Sequence, residues 1–300
     1  MDGLLILDKP GGMTSQQALN RVRRALKVSK LGHTGTLDPL ATGVLPIALG
    51  EATKIIPYLE EGTKSYRVIG RLGETTDSYD ADGAVLRRAD PSWVEASRLE
   101  AAVHGFLGSQ EQMPPLYSAI KFRGRPLYDY ARSGEGVERK SRRVHFESLE
   151  LESFSRPDFT LQVNCSKGTY IRSLVHDIGE RLGCGAHVIA LRRLASGPFT
   201  LDRARTLDRV LEDPSGTLAE LWSIEELLAS WPKVELIDEE ERRRVQAGVS
   251  LRRVNQIIEI KGLYDRQLAL VRDRRIQALI VAAPGRDFEY LRVLQRQESV

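Results

Sequence analysis

The sequence predicts an α+β protein: a mixed, mostly antiparallel central sheet flanked by helices, followed by a small β-rich domain. Three observations carry this expectation. Apolar runs of strand length alternate irregularly with amphipathic runs of helix length, which argues against regular winding around a parallel sheet. The 300 residues are about twice a usual domain length. After Trp231-Pro232 the pattern changes to short apolar segments, and a boundary near residue 231 divides the chain into residues 1–230 and 231–300.

Taken in order, Leu4 to Leu7 reads as a short buried strand, broken by Gly11-Gly12. Thr14 or Ser15 then caps a helix whose Ala18, Val22, Ala25 and Leu26 share one face, with Arg21, Arg23 and Arg24 mostly on the other. Gly43 to Leu49 is a second apolar strand, Ala52 to Leu59 a helix, and Ser65 to Leu72 an alternating strand that runs into the polar turn Gly73 to Asp77. A helix near Ser92 to Phe106 precedes Pro114-Pro115, which opens a basic, glycine-containing insertion ending at the strand pair Val144 to Phe154 and Phe159 to Cys165. Thr169 to Leu182 is the clearest helix, because Ile171, Leu174, Val175, Ile178 and Leu182 repeat at amphipathic spacing and Gly183 stops it. His187 to Leu194 is a strand and Leu218 to Leu228 a helix; Leu268 to Val271 and Ile276 to Val281 follow as short strands, with Pro284-Gly285 after them.

Composition excludes several classes. With 41% hydrophobic and 28% charged residues and a mean hydropathy of −0.30, the chain is neither disordered, collagenous nor membrane-spanning. Its acidic start and short apolar run do not make a signal peptide, so a cytoplasmic protein is expected. Cys165 and Cys184 are too few for a disulfide framework and are expected reduced and buried. The net charge of +3 is unevenly spread: residues 113–143 hold eight Lys/Arg against three Asp/Glu, and residues 233–300 hold fourteen against eleven. In the first stretch the charge is interleaved with Tyr117, Phe122, Tyr128 and Tyr130, a mixture suited to phosphates and stacked bases and equally compatible with a solvated surface loop.

The most unusual segment is Gly32 to Pro46, whose glycines and prolines forbid regular helix and which presents one acid, Asp38, held extended by Pro39. That acid is either a turn-capping aspartate or a lone reactive carboxylate. His33 beside it decides nothing alone. Arg172 stands in the first turn of its helix, where the macrodipole disfavours a cation, and flanks the apolar face; it either has an anionic partner or snorkels to water. His176, Cys184, His187 and Cys165 lack metal-ligand spacing, the glycine-rich stretches lack the Gly-Lys-Ser/Thr of a phosphate loop, and no nucleophile elbow accompanies the histidines. A site built on one carboxylate, without cofactor or metal, remains.

A set of motifs then converges. Asp8-Lys9-Pro10-Gly11-Gly12-Met13-Thr14-Ser15, the Gly32 to Pro46 loop, Lys64-Ser65-Tyr66-Arg67-Val68 and Leu72 to Asp77 come first in the chain. Pro114 to Lys121, Cys165 to Arg172, and Gly183 to Val188 with Leu191 to Leu194 follow. In this order, over roughly residues 3–200, the chain resembles the TruB family of bacterial tRNA pseudouridine synthases, which convert the T-loop uridine at position 55. The resemblance implies the pseudouridine synthase fold, with Asp38 as nucleophile, Tyr66 against the target base, Arg172 paired with Asp38, Leu191 supporting the base from another side, and His33 entering the RNA near the vacated position. It implies an insertion at 113–143 that folds over the T arm, so that Lys121, Arg123, Arg139, Lys140, Arg142 and Arg143 bind substrate, as does Lys64 outside it. It implies a small PUA-like RNA-binding domain over residues 231–300, although no sharp motif stands there. The partner is then the T-arm stem-loop of tRNA, whose folding the protein would also assist. The protein is expected to act as a monomer, with no membrane association.

The chemistry suits one carboxylate: isomerisation breaks a C–N bond and forms a C–C bond at the same sugar without redox change. The base must leave its stack, and Tyr66 and Leu191 would receive it as flat apolar walls. Two other classes compete. A non-catalytic RNA-binding protein explains the basic insertion but not an acid in an unusual loop, which repels phosphates. A glycosidase-type hydrolase wants two carboxylates across one cleft, and the Asp38 loop offers one.

Overall fold

The computed structural model describes residues 1–59, 62–118, 120–133, 135–282, 285 and 287–295. Its main sheet runs, from edge to edge, Arg205–Thr206, Gly3–Lys9, Thr42–Leu49, Ala186–Ser196, Lys64–Leu72, Asp158–Cys165, Arg142–Ser155 and Gly108–Gln112. Two contacts are parallel, Gly3–Lys9 with Arg205–Thr206 and Ala186–Ser196 with Thr42–Leu49; the others on this path are antiparallel. The sheet is therefore mixed and mostly antiparallel. Period-two alternation builds it: in Lys64–Leu72 the residues Tyr66, Val68 and Leu72 turn inward while Arg67 faces solvent.

The helices cover the inner face. Ser15–Leu26 buries Ala18, Leu19, Val22 and Leu26, and Ile171–Leu182 buries Leu174, Val175 and Ile178. Thr14, not Ser15, caps the first of these, accepting from the Gln17 N–H while the Gln17 side chain accepts from the Thr14 N–H. Ser15 instead turns inward to the Asp38 loop. Gly183 ends the second helix at φ 84°, a left-handed conformation that glycine adopts without strain.

Several sequence expectations are corrected. The helix expected from Ala52 is a 3-10 turn, Gly50–Ile55, followed by one short α turn, Ile56–Leu59. The helix near Ser92 is limited to Ala96–His104. The Leu218 to Leu228 helix is two helices, Pro214–Ala219 and Ile224–Leu227, because Trp222 leaves the helical path and exchanges backbone hydrogen bonds with Leu4 at the sheet margin. The insertion carries a small hairpin, Lys121–Phe122 with Arg125–Pro126, and a helix, Leu127–Ser133.

Beyond Trp231 a second sheet orders Lys233–Glu235, Gln267–Arg272, Arg275–Val281 and Glu289–Val293. Alternation divides its two faces. Leu268 and Leu270 pack with Val245, Val254 and Ile258 from two helices that the sequence pattern did not announce, Glu239–Gln246 and Arg252–Lys261. Ala269 and Val271 face the other way, onto Ala52, Ile55, Ile224 and Leu228. The second sheet is thus joined to the first through an apolar layer, reinforced where Lys54 Nζ donates to the Val293 carbonyl at 2.8 Å. Among the described residues no helix is long and apolar enough to cross a membrane.

Candidate active site

The Gly32 to Pro46 loop is tied down on both sides. Its backbone at Leu37 exchanges two hydrogen bonds with Ser15 Oγ, at 2.8 and 3.0 Å, and the Pro39 carbonyl accepts from the Gly12 N–H at 2.9 Å. Lys9 is wholly buried below it, its Nζ donating to the carbonyls of Met13 (2.7 Å) and Pro10 (2.8 Å), with the Pro39 oxygen at 3.5 Å. Burial lowers the Lys9 ammonium to about 8, against the pull of the Asp38 carboxylate. From the opposite side Arg193, also fully buried, donates from Nη2 to the Gly35 carbonyl at 2.9 Å and from Nε to the Val44 carbonyl at 2.7 Å. Gly43 permits this approach: its φ is +100°, and a Cβ there would stand 2.2 Å from the Arg193 carbonyl.

Arg172 reaches the same loop from the start of its helix. The Gln112 side-chain amide clamps that start, accepting from the Tyr170 N–H at 2.8 Å and donating to the Tyr170 carbonyl at 3.0 Å. The guanidinium, 5% exposed, donates from Nη2 to Asp38 Oδ1 at 3.0 Å and places Nε 2.9 Å from Oδ2. Its Nη1 donates to the Ser78 carbonyl at 2.7 Å and stands 3.2 Å from Asp80 Oδ2. Of the two readings of Arg172, the anionic partner is what the geometry shows. A cation at a helix N-terminus is offset here by two carboxylates. Burial raises the Asp38 carboxyl above the usual carboxylate range; Arg172 pulls it back and Asp80 adds to the rise.

Above this pair opens a cleft of about 260 Å³ lined by Asp38, Lys64, Tyr66, Arg172 and Leu191, together with Gly35 to Leu37, Ser118 and Gly168 to Ile171. Tyr66 and Leu191 stand on neighbouring strands, each 7% exposed, and form its apolar walls. Burial raises the Tyr66 phenol above its ordinary value, while the positive charge of Arg193, its cross-strand neighbour, opposes the rise. A second cleft of about 250 Å³ adjoins the first and shares Gly35, Lys64 and Gly168 with it.

Five expected site residues therefore meet: Asp38, Lys64, Tyr66, Arg172 and Leu191. His33 lies on the short strand Leu31–His33, outside the residues lining this cleft. The basic residues of the insertion are dispersed. Arg139 is half-buried and donates to the Pro114 carbonyl at 2.9 Å. Arg142 lies over the Tyr170 ring and donates to the Gly168 carbonyl, while Lys140 and Arg143 are exposed. Arg123 is exposed at a hairpin turn with its guanidinium 5.3 Å from the Phe122 ring centroid. The side chain of Lys121 lies outside the described residues. Spacing in the sequence does not mark Lys9, Asp80, Ser118 or Arg193 as members of this site; the polar turn Gly73 to Asp77 ends three residues before Asp80.

Comparison with known proteins follows the same lines. Residues 23–171 match the family model for the TruB family pseudouridylate synthase N-terminal domain, and residues 172–229 match that for the tRNA pseudouridylate synthase B C-terminal domain. The chain is 50% identical over 230 residues to the tRNA pseudouridine synthase B of Geobacter sulfurreducens, covering 77% of this chain and 74% of that one. It is 54% identical over 208 residues to the Pseudomonas aeruginosa protein of the same name, covering 69% and 68%. Among solved structures it is similar to a chain of a Cbf5–Nop10–Gar1 complex, with a TM-score of 0.69 at 25% identity over 98% of this chain and 84% of that one. It is also similar in fold to a chain of an H/ACA ribonucleoprotein bound to a substrate RNA containing 2′-deoxyuridine, with a TM-score of 0.68 at 24% identity over 98% and 85%.

Proposed function

The chain belongs to the TruB family of tRNA pseudouridine synthases, enzymes that isomerise uridine to pseudouridine, and on that premise we propose that its target is the T-loop uridine at position 55 and that Asp38 is its nucleophile. The observation that carries the second part is the Asp38–Arg172 pair at the floor of a cleft walled by Tyr66 and Leu191. An ionised carboxylate held by a nearly buried guanidinium is a nucleophile of fixed direction. Asp38 stands at the floor of a cleft of about 260 Å³, which a uridine reaches only by leaving its stack, and its uracil then lies between Tyr66 and Leu191.

Asp38 then reacts at the ribose, by addition at C1′ or by removing the C2′ proton to leave a glycal. In either route the N1–C1′ bond breaks, the uracil turns between its walls, and C5 bonds to C1′. In the addition route the ester bond between Asp38 and C1′ breaks as C5 bonds there; in the glycal route Asp38 returns its proton to C2′ at that step. The C5 proton leaves to solvent and N1 regains one, so atoms balance without a co-reactant.

His33 fills the space the base vacates in the RNA, and Lys64, Lys121, Arg123, Arg139, Lys140, Arg142 and Arg143 serve the phosphate backbone, directly or by shaping the insertion. Residues 1–230 act as the catalytic unit, and residues 231–300 as a small PUA-like unit that extends the RNA contact. The enzyme works as a cytoplasmic monomer and needs no metal. Incubating the protein with a tRNA transcript and mapping pseudouridine by carbodiimide labelling tests the reading. Label at position 55 alone supports it; label elsewhere, or released uracil, rejects it.

A further inference from the structure

The motif Pro114 to Lys121 opens the insertion, yet its central residues are not basic and phosphate binding does not account for them. Tyr117 is a structural bridge. Its carbonyl accepts from Arg172 Nη2 at 2.9 Å, and its hydroxyl donates to Asp77 Oδ2 at 3.1 Å, in the turn that also supplies the Ser78 carbonyl and Asp80 to Arg172. The next residue, Ser118, is thereby set at the edge of the reaction cleft, which it lines together with Asp38, Tyr66 and Leu191. Ser118 is 5% exposed, and among the described residues its Oγ has no hydrogen-bond partner.

A buried hydroxyl without a partner costs free energy in the unliganded protein. Proteins that fold with such a group inside a binding cleft gain selectivity, because a ligand that completes the bond is favoured over one that cannot. The other polar groups around Ser118 are committed: Arg172 to two carboxylates and two carbonyls, the Tyr117 hydroxyl to Asp77. A serine side chain has one torsion to its oxygen, so the Oγ of a residue lining the cleft can be redirected at little cost.

We propose that Ser118 is a substrate-contacting residue, delivered to the reaction cleft by the insertion, whose Oγ hydrogen-bonds a polar oxygen or nitrogen of the flipped uridine. This rests on the function proposed above. It gives the insertion a second task, since the segment that clasps RNA then also completes the nucleotide pocket through Tyr117 and Arg172.

The test compares wild type with Ser118→Ala on a T-arm stem-loop RNA carrying either uridine or 2′-deoxyuridine at the target position. Affinity is measured on both RNAs, the single-turnover rate on the uridine RNA, and the melting temperature on the free proteins. The expected result is a loss of about five- to tenfold in affinity or single-turnover rate on the uridine RNA, the worth of one neutral hydrogen bond. The free variant should melt at or above the wild-type temperature, because an unpartnered hydroxyl has been removed. A purely structural serine would lower both together, and that result overturns the proposal. So does unchanged affinity and rate. An affinity loss confined to the uridine RNA assigns the contact to the ribose 2′-hydroxyl; one of equal size on both RNAs assigns it to the uracil edge, and either supports the proposal. A wild-type protein that makes no pseudouridine in the uridine RNA overturns the functional reading and this proposal with it, a failure read from the wild-type lane alone.

Discussion

Arg172 holds Asp38 from a position that is itself almost closed to solvent: Nη2 to Oδ1 at 3.0 Å, Nε to Oδ2 at 2.9 Å, with the arginine 5% exposed and the aspartate side chain 35% exposed. The asymmetry matters. The cation is the buried, fixed member, bound on its far side to Asp80 and the Ser78 carbonyl, while the carboxylate faces the cleft. An arginine so anchored orients its partner without moving when substrate enters.

Replacing Asp38 by Asn keeps the shape and removes the charge and the proposed nucleophile. Turnover should fall by on the order of 10³-fold or more, while affinity for the stem-loop RNA changes by no more than about threefold. Pseudouridine mapping after prolonged incubation, with filter binding alongside, checks both numbers. Appreciable turnover by the variant would show that another group attacks the ribose.

The pH dependence follows from the raised Asp38 carboxyl. A carboxyl acting as the proposed nucleophile must be ionised, so the single-turnover rate should rise with pH along a limb whose midpoint lies above the ordinary aspartate value of about 4. Arg172→Ala removes the group that pulls this value down. Its limb should therefore move to higher pH, and the rate at neutral pH should drop roughly tenfold or more. It also leaves Asp80, 5% exposed, without its cation, which should cost stability of about 3 kcal/mol. An unmoved limb in Arg172→Ala would mean that the pair seen here does not set the protonation of Asp38.

How much of this was legible in the sequence depends on the range of the interaction. The Asp38 loop, the Tyr66 strand and the Arg172 helix announce themselves locally, through glycine and proline density, period-two alternation and an amphipathic repeat. Their meeting was carried by the family resemblance, not by any of those signals. Asp80 and Ser118 stand 92 and 54 residues from Arg172 and belong to a turn and an insertion with no periodicity, so spacing alone could not place them beside it. The helix expected through Trp222 fails for a related reason. Its local pattern is helical, but the backbone of Trp222 finds its partner in Leu4, some 218 residues earlier.

The basic residues near the end of the insertion should separate into two classes. Lys140 and Arg143 are exposed and available to phosphates, whereas Arg139 and Arg142 are engaged with the Pro114 and Gly168 carbonyls. Changing Lys140 and Arg143 together to Gln should lower the slope of log affinity against log salt by about 1.4 to 1.8, with little effect on the rate at saturating RNA. Changing Arg139 and Arg142 should reduce that rate more than the slope. Binding isotherms at several salt concentrations decide between them, and equal slopes for the first pair and wild type would make that charge a solvated face.

Tyr66 joins two roles that substitution can separate. Its ring is one wall of the cleft, and Phe keeps that wall while Leu does not; Leu should therefore weaken RNA binding by roughly 1 to 3 kcal/mol and Phe by little. The hydroxyl is a different matter. Burial raises its pKa, so at neutral pH the group is a neutral phenol, with the charge of the Arg193 guanidinium opposing the rise from the neighbouring strand. A neutral phenol has one proton to point into the cleft, and the neighbouring guanidinium charge would steady the oxygen as that proton is exchanged with the reacting nucleotide. In the glycal route Asp38 takes and returns the C2′ proton, and a hydroxyl beside it is placed to relay a proton to or from the uracil as it leaves and bonds again. Tyr66→Phe should accordingly bind the stem-loop almost as wild type does and turn over at least tenfold more slowly in a single-turnover assay. Matching rates for Phe and Tyr would remove the hydroxyl from the chemistry, leave Tyr66 as a stacking wall, and favour direct addition of Asp38 at C1′.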